Sequence, residues 1–172
     1  QSLPIPELSQ ISSEAISADG LHSSNAILIR VSDGRILMEK NSEKKIYPAS
    51  MTKIMTVMLA LRENILPYRR FRLSQDIFDQ MQSKGASTAG FCTGENVRVI
   101  DLMYGAILPS GGECCVALAK GIAGSENSFA DRMNELGRKI GMQDTHCTNS
   151  TGLHDPKHYS TARDIAVLLD YA

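Results

Sequence analysis

The feature that most constrains this 172-residue chain is a helix with almost no polar face. From Ser50 onward, Met51, Ile54, Met55, Val57, Met58, Leu59 and Leu61 recur at helical spacing over three turns. Other elements have to cover such a helix on most sides, which predicts a layered domain built around it. Pro48 ends the extended approach to it. With 42% hydrophobic residues, the chain can bury the core of one ordinary domain.

The surrounding elements follow from local patterns. Ala26–Val31 and Arg35–Lys40 are apolar runs on either side of Ser32-Asp33-Gly34, which predicts a β-hairpin. Residues 71–100 are mixed and punctuated by glycine, ending in a Gly94-Glu95 turn and a short strand over 96–99. Asp101 is placed to cap a helix reaching about Leu108. Further helices are predicted over 112–123 and from a Ser125 cap through Phe129, Met133, Leu136 and Ile140 to a stop at Gly141. The last opens at Ser160-Thr161-Ala162-Arg163-Asp164, where Thr161 and Asp164 fit a capping box. Residues 1–25, rich in Ser and Pro, read as a lead-in segment with a short helix around 11–17, and residues 26–172 as the folded part.

The formal charge is -1 and the longest basic cluster is Tyr68-Arg69-Arg70-Phe71-Arg72, so neither nucleic acid nor an anionic membrane is an expected partner. No apolar run is long enough to span a bilayer, and residues 1–25 lack a signal-peptide pattern, so any export signal is expected to have been removed. Cys92, Cys114, Cys115 and Cys147 have no metal-ligand spacing and read as small buried side chains. His154 and His158 flank Pro156 and have no Glu beside the first His, so they do not form the helical zinc pair. They read as polar loop residues, and no metal or cofactor is called for. Asn149-Ser150-Thr151 fits a glycosylation acceptor, a pattern common by chance.

Chemistry concentrates at Pro48-Ala49-Ser50-Met51-Thr52-Lys53, which puts a Ser and a Lys on one face at the start of the buried helix. A nucleophile and its base can touch there, and the Ser50 amide at the helix start can help hold an oxyanion. An ordinary Lys titrates near ~10.4, so acting as a base at pH 7 asks for a lowering of about 3 units, roughly 4 kcal/mol; burial is one way to supply it. Ser-x-x-Lys by itself is a weak motif.

Leu102-Met103-Tyr104-Gly105-Ala106-Ile107-Leu108-Pro109-Ser110-Gly111-Gly112 adds the context. With it, the chain resembles the penicillin-binding and serine β-lactamase superfamily, most closely its D-Ala-D-Ala carboxypeptidases. Ser50 and Lys53 match the first family motif, and Ser110 matches the first position of the second, Ser-x-Asn. The Asp33-Gly34 hairpin, the Gly94-Glu95 turn and the segment Gly152–Asp164 resemble family features as well, so the likeness runs over residues 25–172. It implies an α+β fold of the serine β-lactamase/D,D-peptidase type, a helical subdomain plus an antiparallel sheet. It also implies an exported, wall-side enzyme that removes the terminal D-Ala of peptidoglycan stem peptides through an acyl-enzyme on Ser50. Lys53 would be the base and Ser110 the proton relay, and β-lactams would stall the cycle at the acyl stage.

Two positions depart from the pattern. Gly112 stands where the family's second motif has a substrate-binding Asn, a loss worth about 1–3 kcal/mol for one buried hydrogen bond; on this reading Gly112→Asn raises the acylation rate. The third motif, Lys-Thr-Gly or Lys-Ser-Gly, does not occur; Ser150-Thr151-Gly152 lies in a different family context. The sheet's remaining strands are therefore expected in a part of the protein beyond this chain, together with any membrane anchor. A catalytically poor relative that binds wall peptide or β-lactam is the alternative reading. A β-lactamase fits less well, because no deacylating Glu lies between Thr145 and Ser160.

Overall fold

The computed structural model describes residues 8, 11–13 and 15–172. The Asp33-Gly34 turn forms as its residues require: Gly34 takes φ +68, and Asp33 accepts two bonds from the Arg30 guanidinium at 2.9 and 2.7 Å. It joins β1 (Ala26–Arg30) to β2 (Arg35–Lys40) in an antiparallel hairpin with an irregularity between Leu28 and Ile29. The helix predicted around 11–17 is not formed by the described residues there. Ser12 N donates to Ile36 O and Ile16 N to Leu37 O, with a turn bond from Ala15 N to Ser12 O between them, so these residues bond along β2. An open edge strand offers unpaired backbone groups, and a segment with weak helical periodicity takes them.

A single 3₁₀ turn, Ala49–Met51, leads into α1 (Thr52–Arg62), the helix the apolar pattern predicts. The mixed region contains two elements that its sequence did not announce, β3 (Arg70–Arg72) and α2 (Gln75–Ser83). β3 pairs antiparallel with β4 (Asn96–Arg98), with Phe71 opposite Val97 and both buried. α3 spans Val99–Ile107, so Asp101 lies in its first turn and not at its cap; both carboxylate oxygens of Asp101 bond Arg98, at 2.6 and 2.8 Å. α4 covers Gly112–Ala123, α5 covers Glu126–Ile140 with Ser125 capping Ser128 N, and Gly124 and Gly141 close them in left-handed geometry. In α6 (Ala162–Tyr171), Thr161 caps Asp164 N, but the buried Asp164 carboxylate accepts from Asp144 N and Thr145 Oγ1 and so completes no box.

Two apolar cores lie on either side of α1 and α4. One gathers Phe71, Leu73, Ile77, Met81, Val97 and Leu102 against the start of α4; the other packs Met55, Phe129, Met133, Ile140, Met142 and Leu168 around α5 and α6. The most enclosed helix is α4, buried without interruption from Gly112 to Ala119, whereas α1 leaves Leu61 exposed, as the turn before it leaves Met51. Cys114, Cys115 and Cys147 are buried free thiols as expected, but Cys92 is exposed, in a surface turn. The described residues thus form an α+β fold, helices with two small antiparallel sheets.

Candidate active site

The turn before α1 carries Ser50 to the surface while Lys53, one turn on, is only 5% exposed. Lys53 Nζ donates to Ser50 Oγ at 3.0 Å and to Ser110 Oγ at 2.9 Å, so the loop between α3 and α4 is brought onto the face of α1. Burial lowers the Lys53 pKa; Cys115, Glu113 and Cys114 oppose that shift. Ser50, Lys53 and Ser110, separated by up to 60 positions in sequence, therefore share one hydrogen-bonded cluster.

The backbone around the cluster is held in unfavourable geometry. Ala49 has φ +48 and Ser110 φ +62, conformations that cost a non-glycine residue about 1–2 kcal/mol. At Ala49 the neighbour's shape is fixed too: a Cβ on Gly152, itself at φ +79, would lie 1.8 Å from Ala49 O. Only glycine permits that approach.

A cavity of about 300 Å³ opens beside Ser50 and Lys53. Tyr47 and Ala49 form its rim, Gly85–Ser87 one wall, Thr151–His154 the other, and Gly112 part of its surface. Gly112 has no side chain and its N–H is donated to Ser87 O at 2.8 Å, so it offers a substrate no hydrogen-bond donor. A Cβ at 112 would lie 2.5 Å from Met81 Sδ, which changes the expectation for Gly112→Asn: the space that an amide would need is filled. A larger cavity of about 370 Å³ between α1 and α5 is lined by Arg62, Glu63, Arg132, Glu135 and Lys139, with no serine, threonine or cysteine in its lining.

Several residues that position the site were not singled out from sequence. Asn149 Oδ1 accepts from Thr151 N and Gly152 N at 3.1 and 2.8 Å, and its Nδ2 donates to Leu153 O, so the apparent glycosylation acceptor is an internal loop brace. Thr56 Oγ1 donates to Ser150 O, and Glu126 Oε1 accepts from Ser150 N and Oγ. His158 is buried. Its Nδ1 accepts from Thr148 N, which leaves the proton on Nε2 to donate to Thr52 Oγ1 at 2.8 Å, and burial lowers its pKa. An Asn three residues before a Gly was the available signal for the brace; the Thr52–His158 contact bridges 106 positions and left none. Among the described residues, no group of three or more His, Cys, Asp or Glu is arranged to hold a metal ion.

A partly desolvated Lys bridging two serines at a helix start is the arrangement of a serine-type acyl-transfer site. Over 95% of its length, the chain superposes on penicillin binding protein 6B from Escherichia coli with a TM-score of 0.85 at 31% identity, covering 54% of that chain. A variant of the Streptomyces K15 DD-transpeptidase matches 86% of it with a TM-score of 0.83 at 27% identity, covering 60% of that chain. In sequence it is 35% identical over 146 residues to the D-alanyl-D-alanine carboxypeptidase DacF of Bacillus subtilis, and 37% identical over 148 residues to DacC of Escherichia coli. The profile of the D-alanyl-D-alanine carboxypeptidases, peptidase family S11, matches residues 12–172. The chain belongs to this family. It covers 84% and 83% of itself in the two sequence matches and spans 37% of each relative's length.

Proposed function

We propose that this chain is the nucleophile-bearing part of a serine D,D-carboxypeptidase acting on peptidoglycan stem peptides that end in D-Ala-D-Ala, outside the cytoplasm. The observation that carries the reading is the Lys53 amine bonded to both Ser50 Oγ and Ser110 Oγ. Ser50 Oγ bonds to the penultimate D-Ala carbonyl carbon while its proton passes to Lys53 Nζ, and the Ser50 N–H steadies the oxyanion. As the C–N bond breaks, Ser110 passes a proton to the departing D-Ala amine and is re-protonated from Lys53. Water then attacks the ester carbon and gives a proton to Lys53, the bond from that carbon to Ser50 Oγ breaks, and Lys53 returns the proton to Ser50 Oγ as the shortened peptide leaves. A β-lactam enters by the same attack, and its opened ring stays attached. Residues 26–172 carry this partial catalytic domain and residues 1–25 its lead-in.

Labelling the full-length protein with a fluorescent penicillin, beside Ser50→Ala, tests acylation, and D-Ala release from a pentapeptide tests turnover. The expected result is a covalent adduct on Ser50, lost in Ser50→Ala, together with D-Ala release. No adduct defeats the reading; an adduct without release makes the protein a binding relative.

A further inference from the structure

The cavity beside Ser50 has a mouth that the cycle above leaves unused. Tyr47 and His154 line it, and their rings meet edge to face with centroids 4.7 Å apart and planes inclined at 75°. That is a favoured geometry for two such rings, and it joins the segment leading into the nucleophile turn to the end of the Thr151–His154 wall. The base beneath the pair is fixed: Ala49 O lies against Gly152 with no room for a side chain, and His158 is bonded to Thr52 Oγ1. Even so, Tyr47 is 58% exposed and His154 is exposed as well. Among the described residues, neither the Tyr47 hydroxyl nor a His154 ring nitrogen has a hydrogen-bond partner within the protein. Rings that are held in place and left uncovered give a ligand apolar area at little entropic cost. The facing wall, Gly85–Ser87, carries only small side chains, so the aromatic area of the mouth sits on one side.

We propose that Tyr47 and His154 form a recognition lip for the acyl portion of the donor, the stretch of peptide on the amino-terminal side of the penultimate D-Ala. This inference rests on the carboxypeptidase reading and adds to it which part of the substrate these residues grip. A cavity of about 300 Å³ holds only a few residues, so the rest of a pentapeptide stem passes over its rim. The departing D-Ala bears a carboxylate, which calls for a cation, whereas the lip offers aromatic carbon with a hydroxyl and an imidazole at its edge. Peptide further from the cleaved bond presents methyl and methylene groups with backbone amides between them, and that suits both parts of the lip. The acyl portion also stays bonded to Ser50 from attack until water releases it. Tyr47 lies three residues before Ser50, so the lip holds the same piece of peptide through both steps. The substrate class it selects is the longer peptidyl donor over a minimal acyl-dipeptide.

The experiment compares D-Ala release by the full-length protein from a pentapeptide and from N-acetyl-D-Ala-D-Ala, with Tyr47→Ala and His154→Ala as separate variants. The native protein is expected to prefer the pentapeptide in kcat/KM, and each variant to reduce that preference about tenfold, chiefly through the pentapeptide KM. An unchanged preference, with both donors slowed equally or neither slowed, overturns the proposal and leaves the pair as a support for the nucleophile turn. A native protein without a preference for the longer donor overturns it as well. Should the native protein release no D-Ala from either donor, the hydrolase reading falls and binding decides the lip. Ser50→Ala protein titrated with the pentapeptide by calorimetry is then expected to bind at least tenfold more weakly once Tyr47→Ala is added; an unchanged Kd, or no binding at all, overturns the lip.

Discussion

The two walls of the cavity are built on opposite plans. The Thr151–His154 wall is tied down by side chains: Asn149 braces it from within, Thr56 and Glu126 hold Ser150, and His158 anchors the end of the segment to Thr52 on α1. The Gly85–Ser87 wall has few such ties. It rests on backbone bonds to Met81 O and from Gly112 N, on a bond from Ala89 N to Glu113 Oε1, and on close packing of Ala89 against Gly105 and Gly111. A wall with many independent ties keeps its shape when one is cut, while a wall held by packing and a single side-chain bond responds to each change in volume.

The largest effect is expected where the first wall meets the nucleophile turn. Gly152→Ala puts a methyl 1.8 Å from Ala49 O, a backbone atom that cannot turn aside, at a φ that glycine favours. A loss above about 3 kcal/mol in chemical denaturation, with acylation down more than a hundredfold, is the expected outcome; a near-native variant would show that the turn can yield. Next comes Asn149→Ala, which strands the Thr151 and Gly152 N–H groups and is expected to cost about 2–3 kcal/mol. If the first wall is as redundant as its bonds imply, the variant remains folded and still labels with penicillin, more slowly.

The second wall is probed by volume. Gly112→Asn must displace Met81, a buried residue with a flexible thioether, at about 1–3 kcal/mol, and is expected to slow acylation. Adding Met81→Ala should recover part of the loss, so the double variant costs less than the two singles summed. Strict additivity would separate Met81 from position 112. The smallest effect is a pH dependence in the first wall. The His158 pKa lies below its ordinary value of 6.5, so as the pH falls through that value the unfolded chain takes up a proton the native ring resists, and stability drops. His158→Gln is expected to flatten that slope; equal slopes would remove His158 from the account.

Sequence pattern made α1, α4 and α5 legible, with Ser125 and Gly141 marking ends that the structure keeps. The hairpin was legible from a single Asp-Gly pair. β3 was not, because three residues with one buried side chain, Phe71, carry no pattern of their own, and α2 turns only Ile77 and Met81 fully inward. The bonds of Ser12 and Ile16 depend on an unpaired edge of β2 that no local window contains. At the site, spacing gave Ser50 and Lys53, and family likeness gave Ser110. Glu113, His158 and Met81 act through contacts between distant elements, and their sequence neighbourhoods resemble ordinary core and loop.

The left-handed backbone at Ala49 and Ser110 sets evolutionary and engineering pressures on this protein against each other. Glycine at position 49 would relieve a conformational cost and survive heating better, yet it would loosen the turn that aims Ser50. A selection that rewards heat resistance alone would therefore drift toward variants that endure longer and react less. Only a screen that also demands a covalent product would keep alanine there.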